Sequence, residues 1–436
     1  MIYRLYDILL HISVIALLPY FVFKMITARK YREGIPERFG FYKAAKLKAL
    51  SGGPVVWIHA VSVGETKAAA PVVKLFKERN PDTRVVFSTV TRTGNNTAAK
   101  DLTGLIDALI YFPLDLSWVV NKAIRLFNPK AFIVIEKEIW PNIFRQMNKK
   151  GVPVIVLNGT ISDRSSRRFA RYGFFFKGVF GGVSLFSART KEDREKAVCA
   201  GVKDSNAVAT GNIKFDLSPP DGRQSSLTPL GASLGINPKE AVIVAGSTHP
   251  GEEEMILNAF KGLRGEFKNT RLILAPRHPE RFAEVEALLR RSGLPYSKRS
   301  KGNGGEGIVL LDTVGELMMV YSFATVAFVG GSLVKGIGGH NLLEPAYYGK
   351  PVIYGPHLTA YLNMAELLEG AGGGFRAEGV DGLKGTLEKL LSDAALCKEA
   401  GESAWKVVEA NRGAARKSVE AIEVFLNKAK SKNAVI

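Results

Sequence analysis

With 436 residues, 46% of them hydrophobic, the chain is too long for one ordinary core and has ample material for two. Its 60 Lys and Arg outnumber 41 Asp and Glu, a formal net charge of +19 that requires an anionic partner: nucleic acid, a membrane surface or an acidic substrate. Two cysteines, Cys199 and Cys397, exclude a disulfide framework and a CxxC metal site and fit a reducing compartment.

The first element is Leu5 to Phe23, LYDILLHISVIALLPYFVF, free of Lys and Arg and close to the ~20 residues that cross a bilayer. Asp7, His11 and Pro19 interrupt it and leave a tilted or half-inserted helix open. Lys24, Arg29, Lys30 and Arg32 follow it, against a lone Arg4 before it, so the positive-inside bias puts the rest of the chain in the cytoplasm. The charge lies on the wrong side for a cleaved signal peptide, and residues 1–30 read as a retained membrane anchor with a basic flank. That flank suits anionic membrane lipids. Nucleic acid is disfavoured, because the chain carries neither a zinc finger nor an RNP-type motif nor a continuous basic helix.

Apolar runs at 55–60, 84–89, 109–113, 131–136, 152–159 and 183–188 then alternate with helix-like stretches. Continuous apolar strands separated by helices predict a parallel sheet covered on both faces, here a Rossmann-like domain over 31–215. Residues 216–238 are rich in Pro, Ser and Gly, as a linker is. Strand-like runs resume at 241–246, 271–277, 307–312, 324–331 and 351–355, predicting a second such domain over 239–410 and a terminal helix over 411–436. Two such domains facing a central cleft, behind an anchor helix, outline an α/β fold of the GT-B glycosyltransferase type. Nucleotide-sugar epimerases and two-domain binding proteins share that pattern.

VVWIHAVSVGET ends the first strand in small residues and Glu65. At a helix start Glu65 either caps free N–H groups or, at the crevice edge, accepts a proton; His59, Ser62 and Gly64 share the exit. IEKEIWPN brings Glu136 and Glu138 to another strand end, as structural acids or as groups that orient a ligand and tune Glu65. In NGTISDRSSRRFARYGFFFKGVF, Arg164, Arg167, Arg168 and Arg171 mix with Phe174 and other aromatics, a pattern for lipid contact. Later come GSTHPGEEE with Ser247 and Thr248, and APRHPERF with Arg277 and His278. Last is a glycine-rich loop, GGSLVKGIGGHNLLEPA, whose N–H groups and following helix start suit a phosphate.

HAVSVGE, IEKEIWPN, GSTHPGEE, PRHPERF and GGSLV…GGHNLLEPA, in this order over nearly the whole chain, resemble the Kdo transferases. These move 3-deoxy-D-manno-octulosonic acid (Kdo) from CMP-Kdo to a lipid A precursor. The resemblance implies a GT-B fold, inversion, no metal or other cofactor, and the cytoplasmic face of a Gram-negative-type inner membrane. Glu65 becomes the catalytic base. Arg277, the loop Gly330, Gly331 and Ser332, and Gly339, His340, Asn341 and Glu344 become donor-binding residues together with Ser247, Thr248 and His278. Arg277, Lys335 and His340 all stand open as the phosphate contact. Lys137 departs from the family, which commonly reads ETE where this chain reads EKE. Two rival readings are a UDP-sugar enzyme resembling lipid A disaccharide synthase and a membrane-tethered nucleotide-binding protein without catalysis.

Overall fold

The computed structural model describes residues 1–27, 33–216, 227–302, 304–305, 307–359 and 361–433. Arg29, Lys30 and Arg32 of the basic flank, and residues 217–226 of the expected linker, lie outside the described residues. The chain forms two compact units, Met1–Leu217 with Arg412–Ile436, and Ser218–Asn411.

The first unit is built on β1 (Val55–His59), β2 (Arg84–Thr89), β3 (Ala108–Tyr111), β4 (Pro129–Ile135), β5 (Val154–Gly159), β6 (Leu185–Ala188) and β7 (Ala207–Ala209). All pair in parallel, in the order β3-β2-β1-β4-β5-β6-β7. Every residue of β1 is buried, which explains its unbroken apolar run: helices cover both faces. Trp57 packs with Phe127, Phe132 and Phe144 on one side, while Val56 and Ile58 meet Val72 and Phe76 on the other. The C-terminal helix Ala414–Asn433 returns to this second layer. Its Val419, Ile422 and Leu426 are buried beside Val72, Val73 and Phe76 of the helix Val63–Arg79. Asp216 receives the N–H groups of Gly413 and Ala415 at 2.6 and 2.7 Å, and Arg79 pairs with Glu423 at 2.8 Å.

The second unit carries β8 (Ala241–Thr248), β9 (Thr270–Pro276), β10 (Tyr296–Lys298), β11 (Ile308–Leu310), β12 (Val326–Val329), β13 (Val352–Tyr354) and β14 (Gly374–Arg376). Their order is β10-β11-β9-β8-β12-β13-β14, again all parallel. The architecture is α/β of the GT-B type. Three strands, β7, β10 and β14, go beyond the sequence expectation. Each has three residues and sits at a sheet edge, where one side of the strand faces away from the sheet and an apolar run is not required.

Both sheets change direction beside their first strand, between β1 and β4 and between β8 and β12. In open α/β sheets a ligand binds outside the strands' carboxyl ends at such switch points. Three non-glycine residues with left-handed backbone lie near strand carboxyl ends: Glu136 (φ 68°) after β4, Asn158 (φ 56°) in β5 and Ser247 (φ 57°) in β8. Backbone strain of this kind persists where the surroundings enforce it, often at functional sites.

The N-terminal helix spans Ile2–Thr27. Its stretch Ile2–Lys24 is long and apolar enough to cross a membrane, and its large side chains, among them Leu9, Ile12, Ile15 and Phe23, are exposed.

Candidate functional site

In the first unit, Glu65 is the third residue of the helix that follows β1, with Ser62 as its N-cap. Its carboxylate reaches back to the N–H groups of Val61 and Ser62, at 2.5 and 3.1 Å, both on Oε2. The capping role read from the sequence is therefore present. Capping and proton transfer use different properties of the group, however, and the electrostatics favour the second as well. Only 5% of Glu65 is exposed. Burial raises its carboxyl to about 7, Glu136 and Glu138 push the same way, and the two N–H bonds oppose them. A Cβ built on Gly64 would meet nothing within 4 Å, so the backbone beside Glu65 is open to a ligand.

Glu136, the first residue after β4, stands on the other side of the switch point. It is buried and ion-paired with Arg189 at 2.5 Å and Lys214 at 3.1 Å. Burial pushes its carboxyl up, but Arg189, Lys214 and then Lys137 outweigh it, and the net shift is downward. Glu136 is thus held charged, and its charge helps keep the Glu65 carboxyl high. Glu138, half-buried, is raised chiefly by burial, against the pull of Lys137. Burial lowers Lys214, with Glu136 and Glu65 opposing.

Sequence reasoning missed Arg189 and Lys214. Arg189 directly follows β6, in the same position that Arg277 takes after β9. That parallel was the available signal. Asn158 fixes it: the Asn158 carbonyl accepts from Arg189 Nε at 3.2 Å, and its side-chain oxygen accepts the N–H of Ile213 at 3.0 Å. His59, placed by the sequence at the same exit, is instead fully buried. It is bonded to Ser88 and stacked on Phe112 at 3.8 Å, and burial pushes it down to about 3, so it stays neutral.

In the second unit, the exits of β8 and β12 are joined by Glu252, a fully buried acid. Its carboxylate accepts the N–H groups of His249, Gly331, Ser332 and Leu333 at 2.7 to 3.0 Å. The glycine-rich loop was expected to turn its N–H groups toward a phosphate. Those of Gly331, Ser332 and Leu333 instead point inward to this carboxylate, which holds the loop in shape. Ser332 is sealed in, its hydroxyl donating to Val329 and accepting from Gly355. Gly330 is required by packing, since a Cβ there would lie 2.5 Å from the Ser247 carbonyl.

Thr248 is also buried and donates to Glu253, which clamps Arg281 at 2.6 Å. Arg277 and His278 are exposed beyond β9. His249 and His340 stack with ring centres 5.0 Å apart and share a 2.7 Å Nε2–Nε2 hydrogen bond. Burial, and then nearby groups that include Arg277, lower them to about 4 and about 3. The exposed Arg277 guanidinium near these two neutral rings offers positive charge to an anion. The helix after the loop is short, Leu343–Tyr347, with Glu344 in its first turn and Asn341 bonded to Glu344 at 3.5 Å.

Arg164, Arg167, Arg168 and Arg171 are exposed on the helix Asp163–Arg171. Phe174 is 71% exposed on the next helix, Gly173–Phe180, whereas Phe169, Phe175 and Phe176 pack against the core.

Residues 33–217 match the family model described as 3-deoxy-D-manno-octulosonic-acid transferase (kdotransferase). The transferase of that name from Haemophilus influenzae is 32% identical over 407 residues, 92% of this chain and 94% of that protein. The one from Bordetella pertussis is 32% identical over 90% of this chain and 91% of its own length. A UDP-N-acetylglucosamine 2-epimerase structure from Listeria monocytogenes, described as putative, aligns over 86% of this chain and 97% of its own with a TM-score of 0.59. At 14% identity it shows the fold alone. A glycosyltransferase structure from Rickettsia africae does the same at 13% and 0.59, over 86% of this chain and 99% of its own. On sequence, matched over nearly its whole length, the chain belongs to the 3-deoxy-D-manno-octulosonic acid transferases and is a glycosyltransferase of lipopolysaccharide synthesis.

Proposed function

We propose that the chain transfers Kdo from CMP-Kdo to a glucosamine hydroxyl of lipid A precursor, with inversion and without a metal, at the cytoplasmic face of the inner membrane. The observation that carries this reading is Glu65: a buried carboxylate at a topological switch point, raised to about 7 by burial and two neighbouring acids. A base poised near neutrality takes up a proton readily, yet about half of it is ionised at neutral pH. The acceptor hydroxyl gives its proton to Glu65 as its oxygen bonds to the anomeric carbon of Kdo. The bond from that carbon to the CMP phosphate oxygen breaks, and CMP leaves with the electron pair.

Positive charge developing at the sugar parallels the oxocarbenium-like state of glycoside hydrolysis. Arg277 and His278, with Lys335 and His340, meet the phosphate; Ser247, Asn341 and Glu344 meet the sugar and ribose. Gly330, Gly331, Ser332, Thr248 and Gly339 shape the loop that presents them. Arg164, Arg167, Arg168, Arg171 and Phe174 face anionic lipid headgroups and the acceptor.

The test is transfer from CMP-Kdo to tetraacylated lipid A precursor in the presence of EDTA, read by product mass. Wild type is expected to transfer, and Glu65→Gln to lose at least ~10²-fold. A chelator-sensitive wild type, or activity only with a UDP-sugar, overturns the donor and metal parts of the proposal. Near-normal turnover of the variant reduces Glu65 to a cap.

A further inference from the structure

We infer that the N-terminal helix does not cross the bilayer: it is docked at its first two turns to the first unit and lies within the cytoplasmic leaflet. Asp7, an interruption when the sequence is read as a membrane span, is the centre of the dock. Its carboxylate accepts the N–H and hydroxyl of Ser117, at 3.0 and 2.7 Å, and the side-chain amide of Asn142 at 2.8 Å. Tyr3 donates to the Phe175 carbonyl at 2.7 Å, and Tyr6 to Asp115 at 3.3 Å. The Arg145 guanidinium sits 3.9 Å from the centre of the Tyr3 ring. Gly178 makes room for Tyr3, since a Cβ there would lie 2.2 Å from its hydroxyl.

The chain that follows the helix is tied to the same unit at Glu33. Glu33 pairs with Arg92 at 3.1 Å and accepts from the Tyr111 hydroxyl at 3.3 Å. Five residues separate Thr27 from Glu33. They reach no more than about 20 Å, whereas a helix of 26 residues is about 39 Å long. A spanning helix needs its two ends on opposite sides of the membrane. With Tyr3 to Asp7 docked, only the end near Thr27 could be the distant one. The chain would then have to return through hydrocarbon in a few residues that include Arg29, Lys30 and Arg32. Unpaired backbone and cations there cost several kcal/mol each.

Water is no better an environment, because Ile8, Leu9, Ile12, Ile15, Leu18 and Phe23 are all exposed. The occupant that fits is the acyl layer of one leaflet. Trp118, 46% exposed beside the dock, and the exposed Phe174 would then lie at headgroup level.

This inference rests on the membrane part of the proposed function, and the experiment separates the two. The full chain, with Cys199→Ser and Cys397→Ser, receives a Gly-Ser-Cys extension ahead of the helix and is confirmed active in Kdo transfer. A membrane-impermeant maleimide is then applied to spheroplasts and to inverted inner-membrane vesicles. Labelling from inverted vesicles only, matching the exposed Cys199 of the parent chain, is the expected result. Labelling of the extension from the outside of spheroplasts overturns the docked helix and leaves the membrane location standing. Recovery of the active chain in the soluble fraction overturns both, without touching the transfer reaction.

Discussion

At Glu65 two demands fall on one side chain. It caps a helix and it carries a raised pKa, and these have opposite consequences for stability. The folded protein holds its proton up to about pH 7, the unfolded chain only to about 4.5. Between those values the folded state binds more protons, so stability falls as pH rises through that window. The loss approaches roughly 3 kcal/mol, an upper figure for a group that keeps some contact with solvent. Glutamine can still cap at this position but has no charge to bury. Glu65→Gln is therefore expected to melt at the same temperature as wild type or higher at pH 8, with the difference vanishing only below about pH 4.5. Calorimetry at the two pH values checks this, and a variant less stable at pH 8 would contradict it. The same titration predicts that wild-type turnover falls as pH drops below about 7, a limb that the variant's residual activity lacks.

At the scale of elements, the loop Gly330–Leu333 is held by one carboxylate. Glu252→Ala leaves four buried N–H groups without an acceptor, and this is expected to cost at least about 3 kcal/mol in the second unit and to abolish CMP binding. Denaturant unfolding and CMP titration read the two effects. Legibility in the sequence divides along the same line. Strands buried on both faces announce themselves as apolar runs, and whatever follows each run is placed at the sheet's carboxyl edge, so Glu65, Glu136, Ser247 and Arg277 could be put there by reading alone. What could not be read is pairing across the sheet. Arg189 and Lys214 meet Glu136 from β6 and from a turn far along the chain. Glu252 stood in a quoted motif, but nothing local showed that its partners were the loop N–H groups after β12. The edge strands β7, β10 and β14 lacked the burial that writes a pattern.

For the whole molecule, the assignment of residues to units does not follow chain order. Val419, Ile422 and Leu426, near the end of the chain, are core residues of the first unit. Ile422→Ala is expected to cost 2–5 kcal/mol there, as large-to-small core substitutions do, and to leave the second unit unchanged. Deleting residues 412–436 should unfold the first unit while the second still binds CMP. Intact CMP binding together with lost protease resistance in 33–216 would be the signature.

The terminal helix also sets a schedule. A ribosome delivers the apolar N-terminal segment first, then the whole first sheet, then the entire second unit, and only afterwards the helix that covers Val72, Val73 and Phe76. The half of the protein made earliest is finished last. Throughout synthesis of almost two hundred residues its nascent form exposes an uncovered apolar layer next to an exposed apolar helix. Early insertion at the membrane would shelter the helix, but that bare layer must wait for the helix made after the second unit, a window in which chaperones have a surface to hold.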